Sequence, residues 1–404
     1  MCNENKNQID YWIWEAWRLA VGPVIKEPYL ELVELMNDGA KGNGFDDIGE
    51  LWRHELELEE DVEALMKRLM DEVQPLYNML HAFTKFQVET KNQVNLEKNL
   101  PSHILGWNSN WYHLFKDLIE PKIFKASRWN MDEALKKSQW DQKKLIRRIE
   151  DFYTSTGMNR MTDTFWNKSK IGADGDLNCH GTAADMFKQD DIRIVACGCK
   201  NLYDFYVLIH EMGHVQQYML TQKQLGVFRA GNSIVQETIG DVFFLATMTP
   251  MHLNRLRLID DDKLFPSPSN DFDLRQLMMM AFMKLPEIPL GYVFETFRYD
   301  LFAKRVGVEQ SNDYFWELTR KYQRIEPPNP NLNRHQLFDA GAKYHLATNV
   351  PYARYFFANI LQYQVYRALC EKTFYGRLNS NQTLPLPLHK CDIYGSKRAG
   401  NLLK

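Results

Sequence analysis

Apolar residues recur at threes and fours along most of the chain, the spacing that lines one face of an α-helix. Residues 8–21 and 46–87 carry it, the latter through WRHELELEEDVEALMKRLMDEVQPLYNMLHAF. The same pattern predicts helices over 200–222, 233–249, 272–284, 311–324 and 351–372. The period-two alternation of half-buried strands is scarce. Proline-rich stretches at 264–270, 285–290 and 326–331 read as joints between helices. No repeat, low-complexity tract or linker divides the chain, so the pattern predicts one mainly α domain over 1–404 with little β structure. Trp107, Trp111, Trp129 and Trp140 read as core and helix-packing aromatics.

Composition narrows the function classes. With 49 basic and 52 acidic residues the net charge is −3, which argues against nucleic-acid phosphate as the main partner. No run of about 18 apolar residues occurs, so no membrane span is expected. The start, MCNENKNQIDYWIWEAW, lacks the basic and then apolar pattern of a signal peptide. Six cysteines are too few for a disulfide-built scaffold. Two local loops, Cys179 to Cys197 and Cys370 to Cys391, could be closed by disulfides. Free buried thiols in a cytosolic protein are the alternative. Sequons at Asn167 and Asn381 fit a secretory route.

The chemistry starts at His210-Glu211-Met212-Gly213-His214. Positions i and i+4 share a helix face, so two imidazoles can meet one metal ion. Zinc suits such a pair, and Glu211 falls beside it as a base for the attacking water. Gln236-Glu237-Thr238-Ile239-Gly240-Asp241 lies 23 residues beyond, on another expected helix. Glu237 can complete a three-ligand zinc site, and Asp241, one turn further, can hydrogen-bond a ligating histidine. Outside this context Glu237 would read as a solvated helix-start carboxylate.

HEMGH, QETIGD, GAKYH, VPYARYF, ALC and LHKCDIY, in this order, resemble the angiotensin-converting enzyme family of zinc peptidyl-dipeptidases. The likeness runs from WEAWR at 14–18 to the end of the chain. It implies a helical domain with a deep central channel, one zinc ion, oligopeptide substrates that lose C-terminal dipeptides, and a secreted or membrane-anchored extracellular setting. It also implies that the chain is truncated at both ends, without the family's N-terminal lid helices and a C-terminal helical segment.

Carried over by motif, the likeness gives His210, His214 and Glu237 as zinc ligands and Glu211 as base and acid. Tyr355 becomes the oxyanion donor, and His345 and His180 hold the substrate backbone. Lys343 and Tyr352 grip the terminal carboxylate, and Cys179–Cys197 and Cys370–Cys391 become disulfides.

Departures from the family cluster at one subsite. Ser109 stands for a carboxylate-binding glutamine, and Glu287 and Asn359 stand for two pocket phenylalanines, while Lys284 is kept. These changes predict a basic or polar final residue in the substrate, and Glu287 would repel the carboxylate held by Lys343. Arg18 and Arg354 match anion-binding arginines, but Phe315, Thr319 and Leu56 replace their partners, so chloride dependence is expected to be weak. Two readings compete with an active dipeptidase: a zinc peptidase with another cleavage pattern, and a peptide-binding or cell-surface homologue with little catalysis.

Overall fold

A computed structural model describes residues 2–106, 110–124, 129–172, 181–196, 201–261, 271–329, 332–378 and 382–404. It is mainly helical with a few short strands, as the periodicity predicts. Its contacts divide the chain into two compact units: 1–125 with 274–357, and 126–273 with 358–404.

In the first unit, one helix runs from Cys2 to Gly42, well beyond the predicted 8–21 and straight through Pro23 and Pro28. Packing outweighs helix propensity there. Trp14, Tyr29 and Val33 are buried. A Cβ at Gly22 would stand 3.3 Å from the Phe338 backbone, and Trp17 Nε1 donates to the Ala342 carbonyl at 3.1 Å. The long helix therefore braces the turn just before Lys343.

The predicted 46–87 helix is two helices, Ile48–His54 and Val62–Asn92. Asp47 and Asp61 each accept a backbone N–H in the first turn that follows, and Glu57 adopts a left-handed φ of 54° between them. Two N-caps and a run of like charges outcompete continuity. The expected joint at 285–290 shrinks to Leu285–Pro286, between the Phe272–Lys284 and Glu287–Phe302 helices. Pro289 fits inside the first turn, where an N–H has no helical partner. The stretch from Phe272 to Phe302 is long and apolar enough to cross a membrane, but 67% of its apolar window is buried, as in a core helix.

The second unit is built on the Leu202–Thr221 and Ser233–Thr247 helices. The predicted 233–249 helix ends at Thr247, and Thr249 then caps the Pro250–Arg255 helix. A three-stranded sheet flanks them, with Ile192–Ala196 central, Lys170–Ile171 parallel on one side and Thr182–Asp185 antiparallel on the other. Cys370 and Cys391 form a disulfide. Cys179–Cys197 lies outside the described residues. Trp111 is buried as expected, and the Trp129 indole donates to the Leu258 carbonyl at 2.6 Å.

Candidate metal centre and the residues around it

Asn201 caps the Leu202–Thr221 helix through its side chain, and Asn232 caps the Ser233–Thr247 helix likewise. The two helices cross at glycines. A Cβ on Gly213 would fall 2.6 Å from Gly240 Cα, and one on Gly240 would fall 2.6 Å from His210 Cα. No other residue allows that approach without moving a backbone. Tyr153 locks the crossing, its hydroxyl donating to the Ile209 carbonyl at 2.9 Å.

The approach brings three ligand atoms together. His210 Nε2 lies 3.2 Å from His214 Nε2 and 3.2 Å from Glu237 Oε2, and His214 Nε2 lies 3.7 Å from the same oxygen. A tetrahedral ion bound at about 2.0–2.1 Å sets neighbouring ligand atoms roughly 3.4 Å apart. The triangle therefore fits one ion. Charge agrees. Burial lowers the His210 pKa, but Asp241 and Glu237 outweigh it and hold the value well above the ordinary imidazole range. The pocket favours a cation. Asp241 Oδ1 sits 3.0 Å from His210 Nδ1, where it fixes the tautomer that presents Nε2 to a metal.

Glu211 is 8% exposed. Burial pushes its carboxyl up to about 7; His210 and a hydrogen bond from the Ala183 backbone oppose the rise, and Glu237 adds to it. A Cβ on Gly181 would press on Val207 and come 3.2 Å from Glu211 Oε1. The start of the 182–185 strand thus shapes the space around Glu211.

The other candidates lie mostly in the first unit. His345, Tyr352 and Tyr355 form one aromatic cluster, with ring centroids 4.6–5.5 Å apart. A buried ion pair holds it in place: Arg298 and Glu295, both fully buried, grip the Val350 carbonyl and the Tyr352 amide at 2.8 and 3.2 Å. Lys284 Nζ lies 3.7 Å from Glu287 Oε2. In the second unit, Asn359 is buried and its side-chain oxygen accepts from Gln362 at 3.1 Å. Asn167 is exposed. Ser109, His180 and Asn381 lie outside the described residues.

Arg18 stacks on Trp14 at 3.8 Å. Burial pulls its pKa to about 10, and Asp339 and Glu15 resist the fall while Arg334 adds to it. Arg334 makes paired bonds to Glu15 at 2.7–2.8 Å and to Asp339 at 2.7 Å. Asp339 also accepts from Trp316 and Asn312. Phe315 and Leu56 are buried, and the Thr319 hydroxyl bonds the Phe315 carbonyl of its own helix. The Arg354 Nε is buried without a hydrogen-bond partner among the described residues.

Sequence reading did not single out Gly213, Gly240, Ala183, Glu295 or Arg298. The first two stand inside the motifs already read. The ion pair had a signal too: opposite charges three apart inside the largely apolar IPLGYVFETFRYDLF.

A helical protein whose HExxH helix meets a glutamate from a second helix at one ion-sized triangle has the site of a metallopeptidase. The chain belongs to the angiotensin-converting enzyme family of peptidases, whose model matches residues 1–404. That family is zinc-dependent. A Mesocricetus auratus protein named angiotensin-converting enzyme is 36% identical over 415 aligned residues, which take in all of this chain and 30% of that protein. The angiotensin-converting enzyme of the leech Theromyzon tessulatum is 34% identical, over 97% of this chain and 62% of its own. Mouse angiotensin-converting enzyme-like protein Ace3 is 33% identical, over 97% and 52%. The chain thus spans 30% of the length of mammalian relatives such as the first.

Proposed function

We propose that the chain is a zinc peptidyl-dipeptidase that removes C-terminal dipeptides from oligopeptides. The observation that carries this reading is the His210, His214 and Glu237 triangle, with Glu211 buried beside it. When bound, zinc supplies a Lewis acid for the scissile carbonyl and for the attacking water. The chain's own groups do the rest. Asp241 keeps the proton on His210 Nδ1, leaving Nε2 as the donor atom. Glu211 takes a proton from the water at its carboxylate and returns it to the leaving amine. The Tyr355 phenol donates to the oxyanion, a contribution of about 10²–10³ in rate. His345 and His180 hold the peptide backbone, and Ser109 and Asn359 belong to the same substrate-binding set. Lys343 and Tyr352 take the terminal carboxylate, and that charge-assisted grip confines cutting to chain ends.

The Arg18 and Arg354 sites complete the reading, with weak dependence on chloride. An extracellular setting, secreted or anchored, belongs to it as well. The Cys370–Cys391 disulfide supports that setting, because such bonds persist outside the reducing cytosol.

Mass spectrometry of an N-blocked oligopeptide after incubation with the zinc-loaded protein is the test, run beside a chelator and the Glu211→Ala variant. Loss of two C-terminal residues, abolished by both controls, is expected. Loss of single residues or internal cuts would make it a zinc peptidase with another cleavage pattern. No cleavage by a folded, zinc-loaded sample would make it a peptide-binding homologue.

A further inference from the structure

The helix from Val62 to Asn92 carries two apolar faces. One is packed: Met66, Met70, Tyr77, Leu80 and Val88 are buried along it. The other is not. Leu65, Leu69, Leu76, Met79, Phe83 and Phe86 recur at intervals of four and three, with Glu72 completing the series. That is the spacing of a coiled-coil seam. Leu76, Met79 and Phe86 are 55%, 63% and 61% exposed, and Leu65, Leu69 and Phe83 are half-buried. An apolar stripe about 30 Å long left in water marks an interaction surface. Its heptad spacing fits another helix rather than a flat partner.

Charge points to a helix like itself. Residues 59–72 include six acidic and two basic groups, and residues 79–92 one acidic and two basic. A second copy laid antiparallel sets each acidic half against the other's basic half. With Leu76 of one copy on Met79 of the other, Leu69 meets Phe86, and the two Glu72 carboxylates stand about 16 Å apart along the axis. A parallel pair would stack Glu72 on its own copy within the apolar seam, where like charges repel. Arg68 lies 3.9 Å from Glu72 on the same helix, an exposed pair that screens little of that repulsion. The antiparallel pair also has a two-fold axis, so one self-complementary surface serves both copies.

We propose that the chain self-associates through this seam, as an antiparallel two-fold pair of Val62–Asn92 helices. One helix face offers less than the roughly 800 Å² per partner of a standard interface, so the dissociation constant is expected on the order of 10–100 μM.

Sedimentation velocity of the full chain, over a series from about 1 to 200 μM, is the test. The wild type is expected to pass reversibly from monomer to dimer. Met79→Glu and Phe86→Glu each put a charge into the seam twice, and each is expected to raise the dissociation constant more than about tenfold. Leu35→Glu, at a 63% exposed leucine of the Cys2–Gly42 helix, leaves it unchanged. Nitroxides on Arg68→Cys, read against labelled wild type, give the orientation: about 30 Å for the antiparallel pair, about 10 Å for a parallel one. A wild type that stays monomeric throughout overturns the proposal and leaves the seam to a helix of another protein. The short nitroxide distance overturns it too, as does a dimer that both folded seam variants retain. Loss of the dimer in Leu35→Glu would mean unspecific association and has the same force. The wild-type and nitroxide results decide even if the seam variants fail to fold.

Discussion

Both units bury a cluster of charges, and the two clusters end differently. In the first, Arg334 is matched on both sides by carboxylates in paired geometry, and Trp316 and Asn312 satisfy what remains of Asp339. With Arg18 and Glu15 the count is two cations and two anions, so the charges balance. In the second, two imidazole nitrogens and a carboxylate oxygen face one another at 3.2–3.7 Å, with Asp241 behind them. Three donor atoms aimed at one point repel unless a cation sits there. A cluster whose charges pair off reads as scaffolding, and one whose donor atoms converge on a point is a candidate binding site. The difference lies in geometry and charge count, since both use ordinary residue types.

The contrast breaks most completely at Glu237. Glu237→Gln removes the anionic ligand, and retention of zinc after dialysis is expected to be lost together with peptide hydrolysis, read by metal analysis and product mass. A variant that keeps stoichiometric zinc would show the triangle is not the site.

Asp339→Asn should cost the first cluster about 3 kcal/mol, because it removes one of the two carboxylates that offset the buried Arg334. Urea unfolding reads this. Asp339 also gives the pH dependence its sign. Burial raises its carboxyl, but Arg334 and the hydrogen bonds outweigh that and hold the folded pKa below the ordinary value. Its contribution is therefore complete above the unfolded value of ~3.9 and lost as pH falls through the folded one. The wild type should lose stability more steeply than Asp339→Asn on acidification. The same variant leaves a net positive cluster, so chloride in place of acetate should stabilise it and leave the wild type nearly unchanged.

Asp241→Asn sharpens the comparison from the other side. The ligands stay, but His210 loses the partner that sets its tautomer, and zinc affinity should fall about 10–100-fold. Competition with a chromophoric chelator measures it. Gly213→Ala has the smallest effect. Its methyl meets the Gly240 backbone at 2.6 Å, and overpacking of this kind costs about 1–3 kcal/mol. Unchanged stability would mean that the two helices have room to part.

The sequence by itself determined the helical class, the order of the long helices and the candidate metal donors, because a 3.6-residue period and an i,i+4 histidine pair are local properties. Asp61 and Asn232 cap helices within their own turns, a local signal that periodicity alone does not read. Tertiary structure decided the rest. Only the Gly213–Gly240 contact brings Glu237 to the histidines, since a spacing of 23 residues fixes no distance. Only packing lets the first helix run unbroken through two prolines. Which charges are spent on each other, and which remain for a ligand, is also a tertiary matter. Lys284 stands 3.7 Å from Glu287 across a helix break, and a Coulomb interaction depends on distance in space, which the order of residues along the chain does not give.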